Sequence, residues 1–391
     1  MADVVRLVEQ KEGTKPLQLA LFGLNDDPRS PQQTKNLTYT MALWGSAPRF
    51  QVYTSPADRE AGKYLKTVER DFMFGNRMYH LTVAPARLKR GKSEIEEYPG
   101  EREQLVEEVI YKLATQPGRL SMVGDKGVGL TFSLWELRQE LNRTGHSLSS
   151  NEIKEALIIL QSSTIEISRR YDDPDDTGGE IRDTLRTATF TALSFRERSN
   201  EKNSQTMVQF NPYVANAVMA LDFRLIDYEM CMRLRGLPAR LLFRRLTNNV
   251  VYFGNDSGVQ IFRASEIIRD CGISECKRKR DTLRKITDAV MALKTVGVID
   301  GFTMDDVYVG QAKDDIIFTI HLSDSFMAQT GYALKRRNEI HASYEQVMGE
   351  KPKRFKPTTA ADHLRLVRIK ERQVAEDKTG SRQALTCETD K

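Results

Sequence analysis

Residues 276–286 hold Lys277, Arg278, Lys279, Arg280, Arg284 and Lys285 against one acid, Asp281. Cations at that density neutralise phosphates, and Arg or Lys held on a rigid rod also pairs with the guanine edge in the major groove. The bland alternative is a solvated charged surface. The apolar residues that follow, Ile286, Ala289, Val290 and Leu293, recur at helical spacing. They predict a helix over 274–295, capped by Ser274 and stopped by Gly297, with its cations at the N-terminal end. The expected nucleic-acid contacts are Ser274, Lys277, Arg278, Lys279, Arg280, Arg284 and Lys285. Arg169, Arg170, Arg182 and Arg186, around a hairpin nearer the middle of the chain, are expected to touch the phosphate backbone.

A second motif lies near the start. Gln18-Leu19-Ala20-Leu21-Phe22 is an apolar island in a polar segment. Such a peptide can dock in a groove, with Leu21 and Phe22 filling an apolar pocket and Gln18 hydrogen-bonding beside it. A segment tucked onto the protein's own core is the other reading.

Catalytic chemistry finds no support. Gly91-Lys92-Ser93 ends like a phosphate-binding loop, but Ala86 stands where the first glycine belongs, and Gly124–Gly129 lacks the Ser or Thr that must follow. His80, His146, His321, His341 and His363 are scattered singly, with no His-x-His pair. Cys271 and Cys276 have no partner pair and no nearby His, so Cys271 reads as a small core residue under a turn. The acids of 172–176 suit a hairpin tip better than a cation site, and no carboxylate set suits a nuclease or polymerase. The expectation is a binding protein, not an enzyme, with no catalytic residue, metal or cofactor.

Two stretches of the chain repeat one order of elements. The first is helix 101–115, strand 130–133, helix 134–141, a turn at 142–145, a helix from Ser149 or Ser150 to Gln161, strand 164–168, an acidic turn and strand 187–193. The second is helix 237–250 with Pro238 in its first turn, strand 260–262, helix 264–271, helix 274–295, and strands near 298–302 and 316–320. That order describes a winged helix, a helix-turn-helix backed by a β-hairpin. The predicted fold class is α+β: two tandem winged-helix domains with a flexible N-terminal arm and a basic C-terminal tail.

The expected boundaries are 1–36 for the arm, 37–100 for a strand-rich extension, 101–222 and 223–325 for the two domains, and 326–391 for the tail, with a helix over 360–374. Within the extension, 37–43, 50–53 and 78–83 suit strands and 87–92 a loop. Arg233, Arg235, Arg240, Arg244 and Arg245 lie in 231–250 with no acid and add to the basic density of the second half. Helix 150–161 carries only Glu152, Lys154 and Glu155, and suits weak phosphate contact or a protein interface.

Gln18–Phe22 resembles the Gln-Leu-Ser/Asp-Leu-Phe peptide by which bacterial proteins bind the polymerase sliding clamp. With Leu130-Thr-Phe-Ser-Leu-Trp-Glu-Leu-Arg-Gln-Glu-Leu141 and the basic run Arg278-Lys279-Arg280 to Leu283-Arg284, the chain resembles the TrfA-like plasmid replication initiators over 17–22 and 79–322. Ala20 stands where that peptide usually has Ser or Asp, and a long basic tail follows residue 330. The resemblance implies binding to repeated sites (iterons) at a plasmid origin, opening of the adjacent DNA, and recruitment of the host initiator, the replicative helicase and the clamp through Gln18, Leu19, Leu21 and Phe22. It also implies a homodimer formed through the first domain.

The remaining bounds agree. The 391 residues carry a net charge of +5, with 40% hydrophobic and 29% charged residues, a globular composition. No apolar run approaches the roughly 18 residues of a membrane helix, and Met1–Arg6 lacks the apolar core of a signal peptide. Four cysteines point to the reducing cytoplasm, here bacterial. A winged-helix transcriptional repressor is the competing function, and it has no need of the clamp.

Overall fold

The chain enters through β1 (Leu37–Thr40) and α1 (Ala42–Ser46), then forms two hairpins, β2–β3 (Val68–Phe74, Arg77–Val83) and β4–β5 (Ala86–Arg90, Ser93–Glu97). The computed structural model describes residues 36–51, 64–75, 77–124, 127–172, 180–196, 204–253, 258–349 and 351–352. Gln18–Phe22, the acidic tip at 173–179 and the helix expected over 360–374 lie outside them.

The first winged helix runs through α2 (Glu101–Ala114), β6 (Leu120–Val123), β7 (Gly127–Phe132), α3 (Leu134–Arg143), α4 (Ser150–Ser162), β8 (Ile165–Asp172), β9 (Glu180–Thr187), β10 (Phe190–Arg196) and β11 (Gln205–Phe210). Capping boxes start its paired helices. The Glu136 N–H donates to Ser133 Oγ at 3.1 Å and the Ser133 N–H returns to Glu136 at 3.0 Å. Ser149 and Glu152 repeat the exchange at 3.3 and 2.8 Å. After α5 (Pro212–Met219), β12 (Arg224–Asp227) and α6 (Tyr228–Arg233) comes the second unit: α7 (Leu237–Phe253), β13 (Val259–Arg263), α8 (Ala264–Cys271), α9 (Lys279–Val296), β14 (Ile299–Val309) and β15 (Ala312–Leu322). Its sheet has the order β13-β15-β14, all antiparallel, so the wing hairpin pairs with the strand that precedes the helix-turn-helix. The fold is α+β with tandem winged helices.

Several local expectations change. The strand expected over 187–193 is two strands in different sheets: β9 pairs β8, whereas β10 pairs β11 beside β7 and β6. Thr189, 2% exposed between them, marks the crossing. The loop expected over 87–92 is instead strand β4 through Arg90 and the two-residue turn Gly91–Lys92 of the β4–β5 hairpin, and 37–43 is a strand followed by a helix. The basic tail expected from 326 begins inside a helix, α10 (Asp324–Met348). Phe326, Thr330, Ala333, Ile340 and Tyr344 bury one face of it, an apolar stripe diluted by polar neighbours and hence quiet in the sequence.

The extension is woven into both units. β1 pairs antiparallel with β12, and β2–β3 joins β8–β9 in one sheet, order β2-β3-β8-β9. Arg70 donates from Nη1 to Pro48 O at 2.9 Å, and the Met73 N–H donates to Asp270 on α8 at 2.9 Å. This closeness explains Gly272, which ends α8 at φ +61°: a Cβ there would stand 2.6 Å from the Arg70 guanidinium and 2.7 Å from Pro48 Cβ.

Of the arginines of 231–250, Arg240, Arg244 and Arg245 are structural rather than part of a free basic surface, whereas Arg233 and Arg235 are exposed. Arg240, fully buried, donates to Gln104 Oε1 at 2.8 Å, Leu234 O at 2.8 Å and Glu101 Oε1 at 2.7 Å. One turn on, Arg244 pairs with Glu108 and donates to Thr40 Oγ1 at 3.1 Å and Gly45 O at 3.3 Å. Arg49 pairs with Glu107 at 3.1 Å beneath the Trp44 ring, and Arg245 pairs with Asp270. Burial works against the Arg244 charge, but Glu108, with Cys231 and Glu107 nearby, more than offsets it and holds the guanidinium above its usual range. Thus α2 and α7, the first helices of the two winged units, are joined by the buried Arg244–Glu108 pair and by Arg240 with Glu101, whose carboxylate is half exposed. One apolar core runs through both units, from Val106 and Leu157 to Leu246 and Ile286.

Candidate nucleic-acid interface

The helix at the reading position of the second unit is α9, 18 residues long. It begins at Lys279, five residues later than the sequence suggests, because 273–276 is not helical. Two hydrogen bonds fix that lead-in. The Cys276 N–H donates to Thr282 Oγ1 at 2.7 Å, and Gln51 Nε2 donates to Ser274 Oγ at 3.1 Å. Ser274 is therefore a tie to the extension, not the helix cap. Cys271 is buried under the turn, and burial pushes its thiol up to about 12.

Thr282, Leu283, Ile286, Ala289, Val290 and Leu293 face the core. Opposite them stand Arg280, Arg284 and Met291, all exposed. At 1.5 Å per residue, Arg280 and Arg284 are about 6 Å apart along the axis, roughly two base-pair steps. Lys277 and Arg278 are exposed just ahead of the first turn, where unpaired N–H groups favour anions. None of the ion pairs among the described residues involves Lys277, Arg278, Arg280 or Arg284. Lys285 is half-buried on the flank.

Lys279 differs. Its ammonium pairs with Asp314 on β15, and this hydrogen bond raises its pKa. Asp314 is the extra residue of a β-bulge: Val307 pairs with Asp315 and Tyr308 with Lys313, leaving Asp314 between. Asp315, nearly buried, accepts from Ser265 N at 3.1 Å and Ser265 Oγ at 2.6 Å and so caps α8. The sequence shows these acids only as a charged turn; their separate tasks depend on a bulge that leaves no composition signal.

The first unit is built otherwise. α4 occupies the corresponding place, but β4–β5 covers it: Ile159 packs with Ala86, Leu88 and Ile95, and Glu155 pairs with Arg90. Arg169, Arg170, Arg182 and Arg186 lie on β8 and β9, inside the four-stranded sheet. Strand alternation places Arg170, Arg182 and Arg186 on one face with Glu166, which stands 3.5 Å from Arg182 and 4.0 Å from Arg186. Arg169, half-buried, lies over the Tyr171 ring at 4.9 Å. The structure therefore gathers Lys277, Arg278, Lys279, Arg280 and Arg284 at one place, and sets Arg169, Arg170 and Arg186 on a separate sheet.

The chain is a tandem winged-helix protein by element order and sheet pairing. It matches no protein-family model and no curated protein by sequence. Among solved structures it is similar to domains 2 and 3 of RctB, at 9% identity over 72% of this chain and 98% of that one, with a TM-score of 0.43. A second structure of RctB domains 2–3 gives 7% identity, 70% and 96% coverage and a TM-score of 0.40. The Pi initiator protein in complex with iteron DNA gives 13% identity, 57% and 91% coverage and a TM-score of 0.38. No helix of the described residues is long and apolar enough to cross a membrane.

Proposed function

We propose that the protein is a non-enzymatic replication initiator of the plasmid type, which binds repeated duplex sites at an origin through α9. The observation that carries the DNA-binding part is the exposed Arg280–Arg284 stripe, which enters no ion pair among the described residues, on the helix that a winged helix pushes into the major groove. Arg280 and Arg284 read base edges, Lys277 and Arg278 hold phosphates, and Arg170 and Arg186 add backbone contacts.

The initiator part rests on the resemblance to TrfA-like proteins. In this reading the protein works in the bacterial cytoplasm, helps open the origin, engages the host initiator and helicase, and docks the sliding clamp through Gln18, Leu19, Leu21 and Phe22. Self-association as a homodimer belongs to the same proposal.

The test joins two measurements. Selection from random duplexes with the full chain identifies a site, and direct repeats of that site beside the gene fit an origin. A single inverted repeat over a promoter fits a repressor instead. Leu21→Ala with Phe22→Ala is expected to keep duplex binding and to lose clamp pull-down and plasmid maintenance. Normal maintenance in that variant rejects the clamp role.

A further inference from the structure

The wing of the second unit ends in an uncharged tip beside the cationic end of α9. Residues 307–312, Val-Tyr-Val-Gly-Gln-Ala, hold no charged side chain. Tyr308 is 58% and Val309 68% exposed, large apolar surfaces for a hairpin turn in water. Around them Asp306 pairs with Lys313, Asp314 with Lys279, and Asp315 caps α8, while Asp305 is exposed. The tip is also positioned. Val309 pairs with Ala312 across Gly310, whose φ of +62° makes the tight turn, and the bulge at Asp314 ties the strand to α9 close behind that turn.

We infer that Tyr308 and Val309 form an apolar wedge that enters the minor groove next to the site read by α9 and unstacks a base step there. This rests on α9 being a duplex-binding helix. The occupant follows from what surrounds the tip. Lys277 and Arg278, exposed and in none of the ion pairs among the described residues, lie just ahead of the same helix end and form a cationic frame on that side, suited to the phosphates that border a groove. Apolar side chains presented within such a frame are the means by which proteins part and kink base steps. The Lys279–Asp314 bridge fixes the tip relative to α9, so a duplex seated on Arg280 and Arg284 has the wedge alongside it. The unstacking is a conformational step; no bond is made or broken.

The experiment uses the full chain and a duplex selected by it from a random pool, probed with permanganate, which oxidises unstacked thymines. The wild-type complex is expected to show reactive thymines at one step flanking the α9 footprint. Tyr308→Ser with Val309→Ser, two changes at exposed positions, is expected to retain the duplex while thymine reactivity falls to that of free DNA. Asp314→Ala, which cuts the tether and leaves the tip intact, is expected to weaken the same signal. A wild-type complex without reactive thymines, or a double variant that keeps them, overturns the wedge and leaves the role of α9 standing. Failure of the wild type to select any duplex overturns both.

Discussion

Arg280→Ala and Arg284→Ala will each weaken binding to the selected duplex by about 1–3 kcal/mol and relax the base preference at one position. Neither change should lower the melting temperature, because both side chains are exposed and make no ion pair among the described residues. The double variant will lose about 2–6 kcal/mol if the contacts are independent, less if the two arginines share a base pair. The control is Lys277→Ala, which should weaken selected and random duplexes alike, as loss of a phosphate contact does. Competition binding with both duplexes separates these cases. Equal losses on selected and random DNA for Arg280→Ala and Arg284→Ala would reassign both to the backbone.

The second large effect concerns stability. Glu108→Gln should cost about 3–5 kcal/mol, since it leaves Arg244 charged and buried without its paired carboxylate. Both partners are sequestered, with side-chain exposures of 1% for Glu108 and 9% for Arg244. The pair is also imperfectly satisfied, because Glu108 Oε2 and Arg244 Nε find no hydrogen-bond partner among the described residues. Glu108→Met combined with Arg244→Met should therefore recover much of the loss, an outcome expected when a buried pair is replaced by apolar groups of similar size. Denaturant titration of the three proteins measures this. A neutral Glu108→Gln would mean that the contact between α2 and α7 rests on the apolar core alone.

The same arginines show where sequence reasoning runs out. The order of helices and strands was legible because each element carries its own period and punctuation: Ser133-x-x-Glu136, Ser149-x-x-Glu152, Gly272 and Gly297. The cations of α9 were legible because an apolar stripe at 283, 286, 290 and 293 fixes which side faces out. Arg240 and Arg244 looked like more of the same surface, yet their partners on α2 are 136 or more positions away in the chain. In a single sequence, nothing distinguishes a buried guanidinium with a remote carboxylate from an exposed one. α2 hid the match as well: Glu103, Glu107 and Glu108 are buried, although acids in an early helix turn read as dipole partners facing water.

Pairing partners in the sheets were lost for the same reason. β2–β3 and β8–β9 lie far apart in sequence, and only the register from His80–Ser168 to Val83–Ile165 shows that the extension enlarges the first wing. β4–β5, packed on Ile159, covers part of α4 at the first unit's reading position, and the residues of α4 left exposed, Asn151, Glu152 and Ile158 among them, carry no cation. The asymmetry between the two units leaves α9 as the helix of the described residues that presents cations at such a position.

A salt titration of duplex binding tests that claim most directly. If Lys277, Arg278, Arg170 and Arg186 each hold a phosphate, affinity for the selected duplex falls about 10²-fold between about 50 and 200 mM salt, and the slope drops by about one unit when Lys277 or Arg278 is changed to Ala. An affinity that stays flat across that range, or a slope indifferent to Lys277 and Arg278, would contradict the assignment of this helix to DNA.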